Sequence, residues 1–169
     1  QLFLQKKSFN KTVKIILLES HQIKTDKVLQ PGFDSRSTVL SFGTVSYLKK
    51  LGLWDEIKSK AEAIKNIHVS DQNHFGSAQI KAQETGVESL GKVIENQDLG
   101  MALNKAVLEQ KQIEVKSQVQ VNLISHQAEI ALLECQNSKE TFKVEASLVV
   151  LADGGRSGLR EKLGIHHKQ

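Results

Sequence analysis

Two continuous apolar runs near opposite ends of the chain place the strongest limit on its fold. "VKIILLE" (residues 13–19) and "SLVVLAD" (residues 147–153) each have the length and composition of a strand that is buried on both faces. Helical segments and half-exposed strands lie between them in the sequence. This order predicts an α/β fold in which both runs belong to one doubly wound sheet that carries insertions.

Three segments between the two runs have apolar residues at helical spacing. They are Ser37–Leu51, "LWDEIKSKA" and "QDLGMALNKAVLEQK". Other segments alternate as strands exposed on one face do. "IKNIHVSD" and "SAQIKAQ" form one such group, and "IEVKSQVQVNLI", "QAEIALLECQ" and "TFKVEAS" predict an antiparallel meander, while "GKVIEN" predicts a brief strand.

Composition excludes several classes of function. The net charge is +4 and the basic residues are nearly all lysine, without the dense basic run that nucleic-acid binding requires. The single cysteine, Cys135, cannot form an internal disulfide and is typical of a reducing compartment. No apolar run reaches membrane-spanning length and no signal peptide is visible, so we expect a cytoplasmic protein.

Glu19 and Arg36 are candidate ligand-binding residues. An acid at the end of the second strand of a dinucleotide fold accepts hydrogen bonds from ribose hydroxyls, but that fold needs a glycine fingerprint about 20 residues upstream. Only eighteen residues precede Glu19, so either the fingerprint lies on a segment outside these residues or Glu19 is an ordinary strand-end acid, which pattern alone favours. Arg36 comes just before the predicted helix, where a guanidinium and free N–H groups can bind a pyrophosphate, or where it simply lies on the surface.

The stretch "LADGGRSGLREKLGI" predicts a strand, a glycine turn and a helix. Asp153 would lie at the carboxyl end of a buried strand, which is where α/β sheets bind ligands. Gly154 lets the backbone approach a bulky group closely, and Ser157 can cap the helix on which Arg160 lies one turn further along. A capped strand–turn–helix with a surface arginine explains the same residues.

Four blocks in order nevertheless resemble one family. "PGFDSRSTVLSFGTVSYLKKLGLWDEI", "IHVSDQNHFG", "GVESLGKVIEN" and "LVVLADGGRSGLREKLGI" are similar, in order and spacing, to the flavin-dependent aromatic hydroxylases of ubiquinone biosynthesis. The resemblance implies FAD in a Rossmann-like FAD/NAD(P)-binding domain, into which an antiparallel sheet-plus-helix substrate region is inserted. Residues 1–60 and 93–169 would belong to the FAD-binding domain, and residues 61–92 to the inserted strands.

The resemblance also assigns roles to single residues. Glu19 matches the acid on the adenosine ribose, and Arg36 matches an arginine that faces the flavin pyrophosphate. Asp153 and Gly154 match an aspartate–glycine pair on the phosphate side of FAD and NAD(P)H, which Ser157 and Arg160 complete. Glu95, in "VIEN", lies near a position that touches FAD. No catalytic side chain and no metal ligand is assigned.

The activity implied for the intact enzyme is hydroxylation of a polyprenylated phenol with NAD(P)H and O2, through a flavin C4a-hydroperoxide. Other ubiquinone-biosynthesis proteins are expected partners, and a polyprenyl tail implies peripheral contact with the inner membrane. Two alternatives stay open: an FAD hydroxylase acting on another aromatic compound or ring position, and a non-catalytic nucleotide-binding or interaction domain.

Two motifs of the family are absent from the 169 residues. They are the first glycine-rich phosphate loop and the last glycine–aspartate pair on the flavin ribose. We therefore expect the sequence to be the middle of a longer enzyme, and the chain by itself to bind FAD weakly or not at all.

Overall fold

A computed structural model describes residues 13–23, 36–71, 75–154 and 158–165. The chain forms two compact units. Unit 1 comprises the described parts of Gln1–Ile23 and Lys111–Gln169, and unit 2 comprises those of Lys24–Gln110.

The described elements follow one another in mixed α/β order. The strands are β1 (Ile15–Glu19), β2 (Ser37–Ser41), β3 (Glu62–Ile64), β4 (Asn66–Ser70), β5 (Ser77–Lys81), β6 (Gly91–Glu95), β7 (Ile113–Ser117), β8 (Gln120–Gln127), β9 (Ile130–Gln136) and β10 (Thr141–Ala146). The helices are α1 (Phe42–Lys50), α2 (Trp54–Ile57), α3 (Ala82–Thr85), α4 (Asn96–Leu108) and α5 (Gly158–Lys162), with a 3₁₀ turn at Lys58–Lys60. In the described part of the chain, no helix has both the length and the hydropathy needed to cross a membrane.

The first apolar run forms β1 of unit 1, and β1 pairs in parallel with β7 from Ile15↔Ile113 to Glu19↔Ser117. This pairing corrects one expectation, because β7 was predicted to begin the meander. The physical reason lies in Gln118, whose φ of 58° takes the backbone into the left-handed region and ends the strand. The chain then restarts as β8 in a different sheet.

The predicted antiparallel meander is present as β8, β9 and β10, in the order β10-β9-β8. One face of this sheet covers the core of unit 1. The buried residues of that core are Val119, Ile124, Ala131, Leu133 and Cys135. Cys135 is fully buried, and burial raises the pKa of its thiol, as expected of a packing residue rather than a nucleophile.

The second apolar run is not the buried strand that its composition predicts. Residues 147–152 pair with no strand among the described residues. Val149 and Leu151 pack against the unit 1 core, whereas Leu148 is 79% exposed and Val150 is 55% exposed. Only one face of this extended segment is therefore covered, and apolar composition alone cannot distinguish this arrangement from a strand covered on both faces.

Unit 2 contains an antiparallel sheet in the order β2-β6-β3. The helix predicted over Ser37–Leu51 is wrong in its first third, because Ser37–Ser41 is β2 and α1 begins only at Phe42. Ser41 fixes this boundary, since its side chain accepts a hydrogen bond from the Thr44 N–H at 3.2 Å and thereby caps α1. The core of unit 2 consists of Leu40, Val45, Leu48, Trp54, Ile57, Ile94 and Ala102.

Strands β4 and β5 form an antiparallel hairpin, as their alternation predicts. The expectation that one face would be covered is wrong, because every residue in both strands is exposed. The assignment of residues 61–92 to an inserted substrate region stays a prediction.

Gly91 permits a close approach between β6 and β2. A Cβ built on Gly91 would lie 2.7 Å from the Leu40 carbonyl oxygen, a backbone atom that a side-chain rotation cannot move. We expect Gly91→Ala to lower the free energy of unfolding by about 1–3 kcal/mol, the usual cost of overpacking. Chemical denaturation followed by Trp54 fluorescence would measure the loss.

Gly43→Ala is the matched control for this substitution. A Cβ on Gly43 meets only the Ser41 hydroxyl, at 3.8 Å, and Gly43 lies in α1, where alanine is favoured by about 1 kcal/mol. We expect unchanged or higher stability in this variant. Equal stability of Gly91→Ala and the wild type would show that the contact with Leu40 relaxes without cost.

Candidate functional site

Glu19 ends β1 at the carboxyl end of the parallel pair and starts a hydrogen-bonded turn. Its Oε1 atom accepts hydrogen bonds from the His21 N–H at 2.9 Å and from the Ser20 hydroxyl at 3.2 Å. The Nδ1 atom of His21 lies 3.2 Å from the same oxygen. The Glu19 side chain is nonetheless 42% exposed, so the carboxylate can still accept bonds from a ligand.

A second acidic group at the β1–β7 pair has a structural role. Glu114 lies between Lys116 at 2.7 Å and Lys14 at 2.8 Å. The hydrogen bond from Lys116, followed by the one from Lys14, lowers the pKa of Glu114 to about 2. Each oxygen of this carboxylate already contacts a lysine of the chain, so Glu114 is a poorer acceptor for a ligand than Glu19.

The aspartate–glycine pair follows the extended segment of unit 1. Asp153 and Gly154 are both exposed. Gly154 has a φ of +89°, which an L side chain rarely adopts. Among the residues that the structure describes, and apart from the chain neighbours of Gly154, no atom lies within 4 Å of the position of a Cβ. These described residues therefore leave the backbone at Gly154 open to a large group.

Arg160 is half-buried on α5, the helix that follows. Its neighbours Leu159 and Leu163 pack against the unit 1 core and orient the helix. Ser157, the predicted cap of this helix, lies outside the described residues.

Three elements that carry candidate residues rest on one core. Each candidate residue has a leucine one or two positions before it in sequence that packs against the unit 1 core. These leucines are Leu18 before Glu19, Leu151 before Asp153 and Leu159 before Arg160. The core of unit 1 thus supports the candidate acids and the arginine together.

Arg36 and Glu95 are brought together in unit 2. Ser37 pairs with Glu95 across β2 and β6, and the Arg36 carbonyl accepts a hydrogen bond from the Asn96 N–H at 2.9 Å. Arg36 was expected at the start of the helix that follows it in sequence. Arg36 instead precedes β2. Antiparallel pairing places the start of β2 beside the end of β6, so the helix that begins next to Arg36 is α4, which directly follows β6.

Sequence reasoning did not identify Ser20 and His21 as partners of Glu19. The sequence did contain a signal, because two polar residues that can form hydrogen bonds follow directly after an apolar strand. This composition is typical of a turn that side chains stabilise.

The chain matches the family described as "FAD binding domain" over residues 11–169. It belongs to this family.

Curated relatives of the chain include the ubiquinone biosynthesis monooxygenase COQ6 of two animals. The protein from Caenorhabditis elegans is 26% identical over 164 residues, which cover 95% of this chain and 36% of the relative. The protein from Mus musculus is 25% identical over 162 residues, which cover 91% of this chain and 33% of the relative. The chain thus spans about a third of the length of these relatives, and they agree with the family resemblance found in the four sequence blocks.

Two solved enzyme structures have a similar fold. For p-nitrophenol 4-monooxygenase PnpA from Pseudomonas putida DLL-E4, the TM-score is 0.69 at 18% identity, over 90% of this chain and 38% of that protein. For aklavinone-11 hydroxylase in complex with FAD and aklavinone, the TM-score is 0.65 at 15% identity, over 90% of this chain and 30% of that protein. These likenesses show the α/β fold that was predicted, and the FAD-binding family rests on the match over residues 11–169.

Proposed function

We propose that this chain is the FAD-binding part of an aromatic monooxygenase that hydroxylates a polyprenylated phenol in ubiquinone biosynthesis. The observation that carries the proposal is the family match over residues 11–169, combined with an open carboxylate at the end of the parallel strand β1. The names of the COQ6 relatives and the order of the four sequence blocks support the pathway. The member that those blocks resemble is 2-polyprenyl-6-methoxyphenol hydroxylase.

The residues of unit 1 fit the chemistry of FAD. The Glu19 carboxylate offers the acceptor that a ribose diol needs, at the end of a parallel strand where such folds bind dinucleotides. Gly154 provides backbone with open space around it, and Arg160 provides a guanidinium suited to a phosphate. Asp153 would orient this turn on the phosphate side.

In unit 2, Arg36 and Glu95 lie at the start of α4, a helix of 13 residues. By the family resemblance, the Arg36 guanidinium would contact the flavin pyrophosphate and Glu95 would contact FAD. The role of Ser157 stays a prediction.

When bound, FAD supplies the redox chemistry and the activation of oxygen, and NAD(P)H is the proposed source of electrons. The residues of this chain bind and orient the cofactor: Glu19 accepts hydrogen bonds from ribose hydroxyls, and the arginines neutralise phosphate charge. The substrate we propose is a phenol with an apolar tail, and this tail would bring the enzyme into peripheral contact with a membrane. Other proteins of ubiquinone biosynthesis are proposed partners.

Product analysis tests this function. The gene that carries this chain would be expressed in a bacterial strain that lacks one ring hydroxylase of ubiquinone biosynthesis, and quinone precursors would be analysed by mass spectrometry. We expect the accumulated polyprenylphenol to be replaced by a product one oxygen atom heavier. The Glu19→Ala variant should form less of this product. An unchanged precursor pool, with the protein present and folded, would contradict the proposed substrate.

A further inference from the structure

The turn after β1 holds the Glu19 carboxylate in one arrangement. The three hydrogen-bonding groups around Oε1 are the His21 N–H, the Ser20 hydroxyl and the His21 imidazole. The imidazole Nδ1 also lies 3.0 Å from the Ser20 hydroxyl, so the ring contacts both neighbours. His21 therefore restrains Glu19 through its backbone and through its side chain.

The backbone of this turn is itself fixed by the connection between β7 and β8. Val119 N–H donates to the Glu19 carbonyl at 3.0 Å, and Gln118 N–H donates to the His21 carbonyl at 3.4 Å. Gln118 reaches this position with a φ of 58°, a left-handed conformation that costs a non-glycine residue about 1 kcal/mol or more. The backbone of the turn is thus fixed by the fold of unit 1, and the imidazole, 58% exposed, is oriented by its contacts with Ser20 and Glu19.

The hydrogen bonds around Glu19 are unequally divided between its two oxygens. Oε1 is engaged by the turn, whereas no donor to Oε2 is found among the residues that the structure describes. With Oε1 restrained, the direction of Oε2 is fixed before a ligand binds, which lowers the entropy lost on binding.

We propose that His21 is a positioning residue, which orients the Glu19 carboxylate so that its Oε2 atom accepts hydrogen bonds from the ribose of a bound adenine nucleotide. This inference rests on the proposed function and extends it to a residue outside the family motifs. The imidazole acts through Glu19.

The test uses ADP as the probe, because it contains the adenosine half of the cofactor without the flavin. Titrations of the isotopically labelled chain, followed by NMR, measure weak binding through amide shifts. His21→Ala removes the ring and keeps the backbone N–H. We expect it to weaken ADP binding about threefold to tenfold, the effect of one ordinary hydrogen bond, because the ring contacts Glu19 and not the ligand.

Two further variants separate positioning from a general structural effect. His21→Asn places an amide nitrogen near the position of Nδ1, so it should restore affinity to within about twofold of the wild type. His126→Ala removes an exposed imidazole of β8 in the same unit and should leave ADP affinity unchanged. In the ligand-free protein, Glu19→Gln should shift the Nδ1 resonance of His21.

The outcomes are distinguishable. If the wild type binds ADP and His21→Ala binds it equally well, or if His21→Asn fails to restore binding, the positioning role is wrong while the proposed function stands. An unmoved Nδ1 resonance in Glu19→Gln would also overturn it. If the wild type gives no titration with ADP, Glu19 does not bind a ribose in this chain and the inference fails, while the product analysis tests the proposed function separately.

Discussion

Replacement of Ile94 with alanine is expected to lower the free energy of unfolding of unit 2 by about 2–5 kcal/mol, the range for truncating a fully buried aliphatic side chain. Ile94 is 1% exposed and lies at the centre of the unit 2 core. Its strand, β6, is paired on both edges, by β2 and by β3, so the backbone cannot collapse into the cavity. Trp54, the only tryptophan of the sequence, belongs to the same core and reports this unfolding by fluorescence.

Val39→Ala is the matched control for Ile94→Ala. Val39 lies on β2 of the same sheet but is 64% exposed, so its truncation should change stability by no more than about 0.5 kcal/mol. Denaturant titrations of the two variants and the wild type provide the comparison. Similar losses in the two variants would contradict the burial of Ile94 at the centre of unit 2.

Replacement of Glu19 with alanine is expected to weaken FAD binding by about tenfold to a hundredfold. Hydrogen bonds to a charged group contribute about 1.5–3 kcal/mol, and every 1.4 kcal/mol changes an affinity tenfold. The proposed bonds join the Glu19 carboxylate to the ribose hydroxyls, and alanine removes both oxygens. An NMR titration of the labelled chain with FAD, which detects weak complexes, would measure the change.

Two controls define the cause of this loss. Glu19→Gln keeps one acceptor oxygen and should lie between the wild type and the alanine variant. Glu145→Ala removes an exposed carboxylate from β10 in the same unit, so it should leave FAD affinity unchanged. If Glu145→Ala weakens binding as much as Glu19→Ala does, the effect is one of net charge and the assigned ribose contact is wrong.

Local patterns predicted the elements that are defined by their own residues. The alternation in "QAEIALLECQ" and "TFKVEAS" predicted the meander correctly, because period-2 burial is a property of each strand by itself. The hairpin of β4 and β5 was recognised from its alternating sequence, although every residue in it is exposed. The helix α4 was recognised from the helical spacing of its apolar residues. Glu19 was correctly placed at the end of a parallel-type strand.

Features that depend on distant partners could not be predicted in this way. The composition of "SLVVLAD" is equally suitable for a paired strand and for an extended segment packed on one side, and tertiary contacts decide between them. Val39, Leu40 and Val45 have helical spacing in the sequence, although the first two lie in β2 and the third lies in α1. A strand of five residues is too short for its two-residue period to be distinguished from a helical one. The partner of Arg36 was missed because β6 lies more than fifty residues away in sequence.

One measurement tests most directly the central claim that Glu19 and Asp153, both in unit 1, bind a single FAD molecule. In an NMR titration of the wild-type chain with FAD, the backbone amides of Ser20 and Gly154 report on the two positions separately. We expect both signals to shift along one curve with a common dissociation constant. A shift confined to one of the two positions, or curves with different dissociation constants, would contradict the claim.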